Sequence, residues 1–360
     1  MMTLILIFLA WFVVPVWAQE NWEKEWNQLL SAAKKEGTVS VMSSVGGAEP
    51  RKGLTESFQK KYGINVDYFS ASGSAMVSRI KTERAAGQFQ WDIFIGGTST
   101  PMFGLKPDGI LDPVEPALIL PEVKEGKNWL GGKLEFAEKD RLIFVMLSYS
   151  RSPLQVNSQM VKPDEIKSVR DLLNPKWKGK IIAADPRTPG PGQETFSFFY
   201  NHKDLGPDFL RELAKQDIHF LRDDRQASEW IATGKYPILI GGSDTDSEPF
   251  LRQNLPIRIV NPKQLKEGGT LSGGPGAISL LNKAAHPSAA KVYMNWLLSK
   301  EGQTILVRSN GYPSRRVDTP VPTEPWKFPT DLSFWVSYNE AAMGNLRGKV
   351  VPFLKEVFGE

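Results

Sequence analysis

Cysteine is absent from all 360 residues of this chain, and histidine occurs only three times. Without cysteine there can be no disulfides, thiolate metal ligands, cysteine nucleophile or lipid-modified cysteine after a leader. The three histidines, His202, His219 and His286, stand in no metal-binding or catalytic motif. These absences favour a freely diffusing protein without a thiol- or histidine-based active site.

Familiar catalytic motifs are also missing. The sequence contains no Gly-x-Ser-x-Gly, no Gly-x-x-x-x-Gly-Lys-Ser/Thr and no His-Glu-x-x-His. Acidic pairs do occur, at Asp223-Asp224 and at Asp244 with Asp246, but acidic pairs in polar loops are usually solvated. We therefore expect no enzymatic activity and no cofactor, with a hydrolase as the alternative.

The charge of the chain is nearly balanced. It has 44 basic and 40 acidic residues, a net charge of +4, and no block of Lys or Arg. Nucleic-acid binding is therefore not expected, and charge alone suggests at most a mild preference for anions.

Long apolar runs are confined to the amino terminus, where residues 4–14 are uninterruptedly apolar. That run is shorter than the roughly 20 residues that span a bilayer. Ala18 then supplies a small residue before the polar Gln19-Glu20, as in a cleavage site. We predict a signal peptide over residues 1–18, a periplasmic location and a mature chain beginning at Gln19. Intact-mass analysis of periplasmic material checks this cleavage.

Strand and helix patterns alternate after the leader. Strands are predicted over residues 38–44, 64–69 and 91–95, with helices over 50–62 and 73–83 between them. Such alternation indicates a parallel, doubly wound sheet.

The second half repeats the alternation and predicts a second α/β lobe. Residues 142–149 read as one long apolar strand, 180–184 and 237–240 as further strands, and 345–358 as a closing helix. We predict a two-lobed fold joined by crossing strands, with doubly wound sheets that carry helices on both faces. Lobe I is assigned to residues 38–140 and 275–315, and lobe II to residues 141–274 and 316–360.

Ligands of open α/β sheets bind beyond the carboxyl ends of the strands. In the first lobe the loops that follow the predicted strands are rich in small polar residues, whose amides and hydroxyls suit a polar ligand. The alternative is that they only cap helices and satisfy turns. The candidate site residues are Ser43, Ser44, Gly73, Ser74, Thr98 and Ser99.

The second lobe adds five candidates. Arg187 either grips a carboxylate or phosphonate or is a surface residue of a Pro-rich turn. Asp244, after Gly242 and Ser243, either accepts a hydrogen bond from an amine or sugar hydroxyl or forms an Asx-turn. Tyr149 either stacks on the ligand or packs at the hinge.

The chain resembles the bacterial extracellular solute-binding proteins of ABC importers, in the branch with ferric-, thiamine- and phosphonate-type binding proteins. The resemblance spans most of residues 38–315. It is carried by residues 73–87 with Trp91-Asp92-Ile93-Phe94, by residues 171–181, by Ala184-Asp185-Pro186 before a Gly-rich turn, and by residues 276–303.

The resemblance implies closure of two lobes on a ligand and delivery of that ligand to a membrane permease. Ferric-binding members of the family use adjacent tyrosines because phenolate oxygens suit a hard cation. This sequence has no Tyr-Tyr, and only Asp244 and Asp246 offer hard oxygens in the loop after residues 237–240. Direct iron coordination is therefore not expected.

The expected function is capture of a small polar, anionic organic solute by a monomeric protein that hands it to an inner-membrane ABC permease. A ferric-ion or iron-complex binding protein is one alternative. A ligand-sensing subunit for a membrane histidine kinase is another alternative. Import and sensing both need only a protein that changes between an open and a closed state.

Overall fold

The computed structural model describes residues 16–45, 48–188, 190–321, 324–329 and 334–359. The first fifteen residues of the predicted signal peptide lie outside this part of the chain. Within it, no helix combines the length and apolar character needed to cross a membrane.

The strands of the described chain are short and mostly buried. In chain order they are β1 (Thr38–Ser43), β2 (Asn65–Ser70), β3 (Ile93–Gly96), β4 (Leu111–Asp112), β5 (Phe144–Val145), β6 (Tyr149–Arg151), β7 (Leu154–Asn157), β8 (Ile181–Ala184), β9 (His219–Leu221), β10 (Ile238–Ile240), β11 (Ile257–Ile259), β12 (Thr270–Ser272), β13 (Ala277–Leu281) and β14 (Trp335–Val336).

The helices begin largely at capping residues or prolines, as helix propensities require. They are α1 (Val16–Glu36), α2 (Ala48–Tyr62), α3 (Gly73–Ala85), α4 (Ser99–Gly104), α5 (Pro121–Lys124), α6 (Pro191–Asn201), α7 (Gly206–Leu213), α8 (Asp224–Ala232), α9 (Asp244–Arg252), α10 (Pro287–Leu298), α11 (Lys300–Asn310), α12 (Glu340–Asn345) and α13 (Val351–Phe358).

Two mixed sheets form the two lobes. In lobe I the order is β2-β1-β3-β13-β4, with β5 also paired to β13. In lobe II the order is β11-β7-β10-β8-β9. The predicted strand–helix alternation is present as parallel pairs of β1 with β2 and β3, and of β8 with β9 and β10.

The sheets are not purely parallel, contrary to the prediction. In lobe I, β13 returns from far along the chain and pairs antiparallel with β3. In lobe II, β7 pairs antiparallel with β10 and β11. Strand direction depends on which distant strands pair, and local periodicity carries no information about that.

The apolar stretch 142–149 is also not one strand. Its first half, β5, pairs with β13 in lobe I, whereas Tyr149 begins β6, which pairs with β12. Between them the amides of Met146 and Leu147 both donate to the carbonyl of Gly276, at 2.8 and 3.2 Å. A Cβ on Gly276 would lie 2.2 Å from that of Leu147, so the chains cross here at a distance only glycine permits.

A small third sheet, β14-β12-β6, lies at the crossing between the lobes. Its strands are the crossing strands that the sequence predicts between the lobes. Each lobe has its own aromatic core: Phe58, Tyr293 and Trp296 are fully buried in lobe I, and Phe196 and Phe209 in lobe II.

The carboxyl-terminal segment packs against both lobes. Tyr338 belongs to a core cluster of lobe I, and Leu354 to the core of lobe II. The single helix predicted over residues 345–358 is interrupted by a π-helical turn, Leu346–Val350. Pro352 has no N–H for the carbonyl one turn earlier, which disturbs the regular ladder there. The lobe boundaries given above remain a proposal.

Candidate ligand-binding pocket

A pocket of about 330 Å³ lies between the lobes, beside the strands that join them. Lobe I, the crossing strands, lobe II and the carboxyl-terminal segment all contribute to it. Its lining comprises Gly97, Thr98, Ser99, Tyr149, Arg151, Gly190, Pro191, Gln193, Glu194, Ser197, Ser243, Asp244, Ser272, Gly273, Gly274, Tyr312, Trp335, Ser337, Tyr338, Ala342, Met343 and Leu346.

The lobe II wall is made by two loops that follow β8 and β10, each leading into a helix. Gly190, with φ 153°, precedes Pro191 at the first position of α6. Gly192 lets α6 begin close to β8, since a Cβ there would lie 2.2 Å from the carbonyl oxygen of Ala184. After β10, Ser243 caps α9 by accepting the amide of Asp246 at 3.3 Å. The amino-terminal ends of α6 and α9 therefore both border the pocket.

Arg151 and Glu194 form a buried ion pair at the pocket wall. Nη1 of Arg151 donates to Oε2 of Glu194 at 2.9 Å, and Nη2 donates to the carbonyl of Gly242 at 2.9 Å. The hydroxyl of Thr270 donates to the other oxygen of Glu194 at 3.2 Å. Burial disfavours the charged guanidinium, but Glu194 together with Tyr149 and Asp244 outweighs this effect and raises the pKa of Arg151. The charges of Arg151 and Glu194 therefore compensate each other.

Asp244 lies at the first position of α9, and its carboxylate differs from that of Glu194 in its contacts. Its side chain is only 10% exposed, and neither carboxylate oxygen has a hydrogen-bond partner among the described residues. Nζ of Lys327 lies 3.6 Å from Oδ2, beyond hydrogen-bond distance. Burial raises the pKa of Asp244, although Lys327 and Arg151 oppose that effect.

Aromatic side chains also line the pocket. The rings of Tyr149 and Tyr312 lie 4.8 Å apart at 36°. The hydroxyl of Tyr338 accepts a hydrogen bond from Nη1 of Arg315 at 2.8 Å. Burial raises the pKa of both Tyr149 and Tyr338, so their hydroxyls are neutral donors and acceptors at physiological pH.

Five of the residues proposed from sequence meet in this pocket. They are Thr98, Ser99, Tyr149, Ser243 and Asp244. They come from distant parts of the chain, and the loops that carry four of them follow β3 and β10, as the strand-end argument expects.

The other lobe I candidates lie at strand and helix ends outside the lining. The hydroxyl of Ser43 accepts the amide of Val45 at 3.0 Å, and the amide of Ser44 donates to the carbonyl of Ile95. Gly73 begins α3 beside Thr100, and the hydroxyl of Ser74 lies 3.3 Å from that of Ser72, the helix cap.

The remaining lobe II candidates, Gly242 and Arg187, are also outside the lining. Gly242 supports Arg151 through its carbonyl. The guanidinium of Arg187 pairs with Asp185 at 2.7 Å, and its Nη1 donates to the carbonyls of Phe358 and Gly359, each at 3.1 Å. Arg187 thus holds the carboxyl-terminal end of the chain onto lobe II.

Sequence reasoning missed several residues of the pocket, above all Arg151, Glu194, Tyr312 and Tyr338. One local signal exists for Arg151, a cation placed directly after a buried apolar stretch, where a partner is required. Glu194 stands in the first turn of a predicted helix after a Gly-rich loop. Nothing local distinguishes the two tyrosines.

Comparison with known proteins defines the class. A two-lobed α/β fold with a pocket at the crossing strands is that of a periplasmic binding protein. The chain matches the bacterial extracellular solute-binding protein family over residues 39–313 and belongs to that family. The family is one of binding proteins that deliver small molecules to ABC permeases.

Individual relatives are distant. The chain is 26% identical over 275 residues to iron uptake protein A1 of Synechocystis, covering 71% of this chain and 70% of that protein. The structure of the periplasmic binding protein AfuA from Actinobacillus pleuropneumoniae with fructose-6-phosphate matches at a TM-score of 0.64 and 20% identity, covering 89% of this chain and 98% of AfuA. The structure of Trichodesmium IdiA (FutA) with iron and citrate matches at a TM-score of 0.66 and 18% identity, covering 90% of this chain and 100% of IdiA. At these identities the structural likeness defines the fold.

Proposed function

We propose that this protein captures a small, polar organic solute with an anionic group in the pocket between its lobes and hands it to an inner-membrane ABC permease. The protein performs no chemistry on the solute. It acts in the periplasm after cleavage of residues 1–18.

The observation that carries this proposal is the carboxylate of Asp244, which lies in the pocket wall without a hydrogen bond from any described residue. Buried polar groups in folded proteins almost always have a hydrogen-bond partner, so one without a partner needs an explanation. A polar solute in the pocket supplies that partner. A volume of about 330 Å³ suits a small metabolite, since ligand pockets span roughly 300–1,000 Å³.

The anionic group is assigned to the start of α6. Gly190, Pro191 and Gln193 line the pocket at the amino-terminal end of this eleven-residue helix. Unpaired amides and the positive end of the helix dipole favour an anion at such a position. This assignment replaces Arg187, whose guanidinium is held by Asp185 and the carboxyl terminus.

Native mass spectrometry tests the proposal. Protein purified from its own host should carry an organic adduct. Ser99→Trp places a large side chain in the pocket lining and should remove the adduct. Ser78→Trp, the same change at an exposed position of α3 outside the lining, should keep it. An adduct that survives Ser99→Trp would place the ligand elsewhere and contradict the proposal.

A ferric complex is the second candidate, and one observation favours it. Tyr149, Tyr312 and Tyr338 bring three phenol groups to the pocket from positions that are not adjacent in sequence. Iron uptake protein A1 and IdiA (FutA) carry iron in their names or titles. The missing Tyr-Tyr pair is therefore a weaker argument against iron than sequence alone indicates.

Addition of Fe(III) to the purified protein separates the two candidates. We expect no visible phenolate-to-iron charge-transfer band, because burial raises the pKa of Tyr149 and Tyr338 and so disfavours their phenolate forms. A band that saturates at stoichiometric iron, and that Tyr149→Phe removes, would favour the ferric complex.

A further inference from the structure

The charged groups at the lobe II wall do not balance. Among the described side chains that line the pocket, Arg151 is matched by Glu194, and Asp244 is left over. Lys327 approaches Asp244 from outside the lining, but its closer partner is Glu324, at 2.5 Å. Two cations thus face three carboxylates, and Asp244 is the carboxylate without a hydrogen bond.

The position of Asp244 makes this imbalance costly. A carboxylate that is nine-tenths buried loses most of its hydration, and the cost is recovered only through a paired charge or several hydrogen bonds. Placement at the start of α9 offers partial compensation from the helix dipole. Lys327 lies 3.6 Å away and neither oxygen accepts a hydrogen bond from a described residue, so both oxygens can accept hydrogen bonds from a molecule in the pocket.

We propose that the bound solute carries an ammonium group, which donates a charge-assisted hydrogen bond to Asp244 while its anionic end rests at the start of α6. The solute is thus a small zwitterion. This inference rests on the proposed function and adds the substrate class.

An ammonium group fits Asp244 better than a hydroxyl does. A hydroxyl donates a hydrogen bond but adds no positive charge to that of Lys327, 3.6 Å from Asp244, whereas an ammonium group supplies both a hydrogen bond and a charge. The rings of Tyr149 and Tyr312 line the same pocket, and aromatic faces attract cations. The two ends of a zwitterion also match the two features of the wall, the carboxylate of Asp244 and the amino-terminal end of α6.

The experiment uses the full mature protein and a small-molecule filtrate of its host's extract. The protein is stripped of ligand, incubated with dilutions of the filtrate and analysed by native mass spectrometry. The captured compound is then released and treated with an amine-specific reagent. Asp244→Asn is the test variant, and Asp246→Asn is its matched control, because Asp246 lies in the same turn of α9 but outside the lining.

We expect one compound that reacts with the amine reagent. Asp244→Asn should need about ten- to hundredfold more filtrate for half-saturation, the effect of losing one charged hydrogen bond. Asp246→Asn should saturate like the wild type. Thermal melting of each unliganded variant establishes that it is folded.

Each other outcome contradicts either the ammonium assignment alone or the proposed function as well. An organic compound without an amine, or one whose binding Asp244→Asn leaves unchanged, would overturn the ammonium assignment and leave the proposed function standing. Capture of ferric ion alone, or of no compound at any dilution, would overturn both.

Discussion

Two arginines of this protein illustrate how differently the same side chain is used at two strand ends. Arg187, in the loop after β8, pairs with Asp185 two residues earlier and holds the carboxyl terminus. Arg151, at the end of β6, pairs with Glu194 from another element and borders the pocket. Both arginines pair with carboxylates that are mostly buried, but one pair holds the carboxyl-terminal segment and the other lines the pocket that we propose binds the ligand.

The difference lies in what covers each pair. Phe220 lies 5.1 Å from the guanidinium of Arg187, and the end of α13 closes over it. The pocket lies beside Arg151 instead. A strand-end loop therefore predicts that a residue lies near the functional edge of the sheet, but the packing of remote segments decides whether it is accessible.

The largest expected effect comes from Arg151→Ala. Removing this guanidinium leaves Glu194 buried without its charge partner, and breaking a buried pair costs about 3–5 kcal/mol. Denaturant unfolding measures the loss. The double variant Arg151→Met with Glu194→Gln should recover most of it, because both charges are then gone. A single variant as stable as the wild type would show that the pair contributes nothing.

Arg187→Ala should have a smaller effect and of a different kind. It removes the hydrogen bonds to Asp185, Phe358 and Gly359, while Arg222 still contacts Asp185. We expect a loss of about 1.5–3 kcal/mol in unfolding free energy, with ligand capture from the filtrate unchanged.

Arg252→Ala is the control for this variant, since its pair with Glu248 is exposed and should cost less than about 0.5 kcal/mol. Weakened ligand capture by Arg187→Ala would erase the distinction between the two arginines.

The smallest expected effect is a gain. Asp244→Asn should stabilise the unliganded protein by about 1 kcal/mol at neutral pH, because it removes a buried carboxylate that has no hydrogen bond and only a loose contact with Lys327, at 3.6 Å. Melting curves of variant and wild type measure this gain. Equal stability at all pH values would mean that Asp244 is compensated in the unliganded protein.

The gain should depend on pH. The folded-state pKa of Asp244 is raised above the ordinary 3.8, so the folded protein holds this proton more tightly than the unfolded chain does. Wild-type stability should therefore fall relative to Asp244→Asn as pH rises above 3.8, and the difference should become constant above the raised pKa. The charged groups acting on Asp244 are Lys327, Arg151 and Glu324, with the phenol of Tyr149 nearby.

Much of the fold follows from local sequence pattern. The strand over residues 38–43 and the helix that ends at Tyr62 form where apolar periodicity places them, because this signal acts within a few residues. The antiparallel return of β13 and the division of residues 142–149 between two sheets were beyond such signals. Both depend on pairing partners more than a hundred residues away.

The pocket residues also divide into those that local sequence predicts and those that only the folded chain brings together. By itself, the sequence identified the small polar loops after β3 and β10, because glycine, serine and threonine at strand ends are local features. Only the tertiary structure separated Asp244, which lines the pocket without a hydrogen bond, from Arg187, whose guanidinium binds the carboxyl-terminal segment. It also brought Tyr149, Tyr312 and Tyr338 together. Burial and charge pairing are properties of the packed chain, so no residue carries them before the lobes have formed.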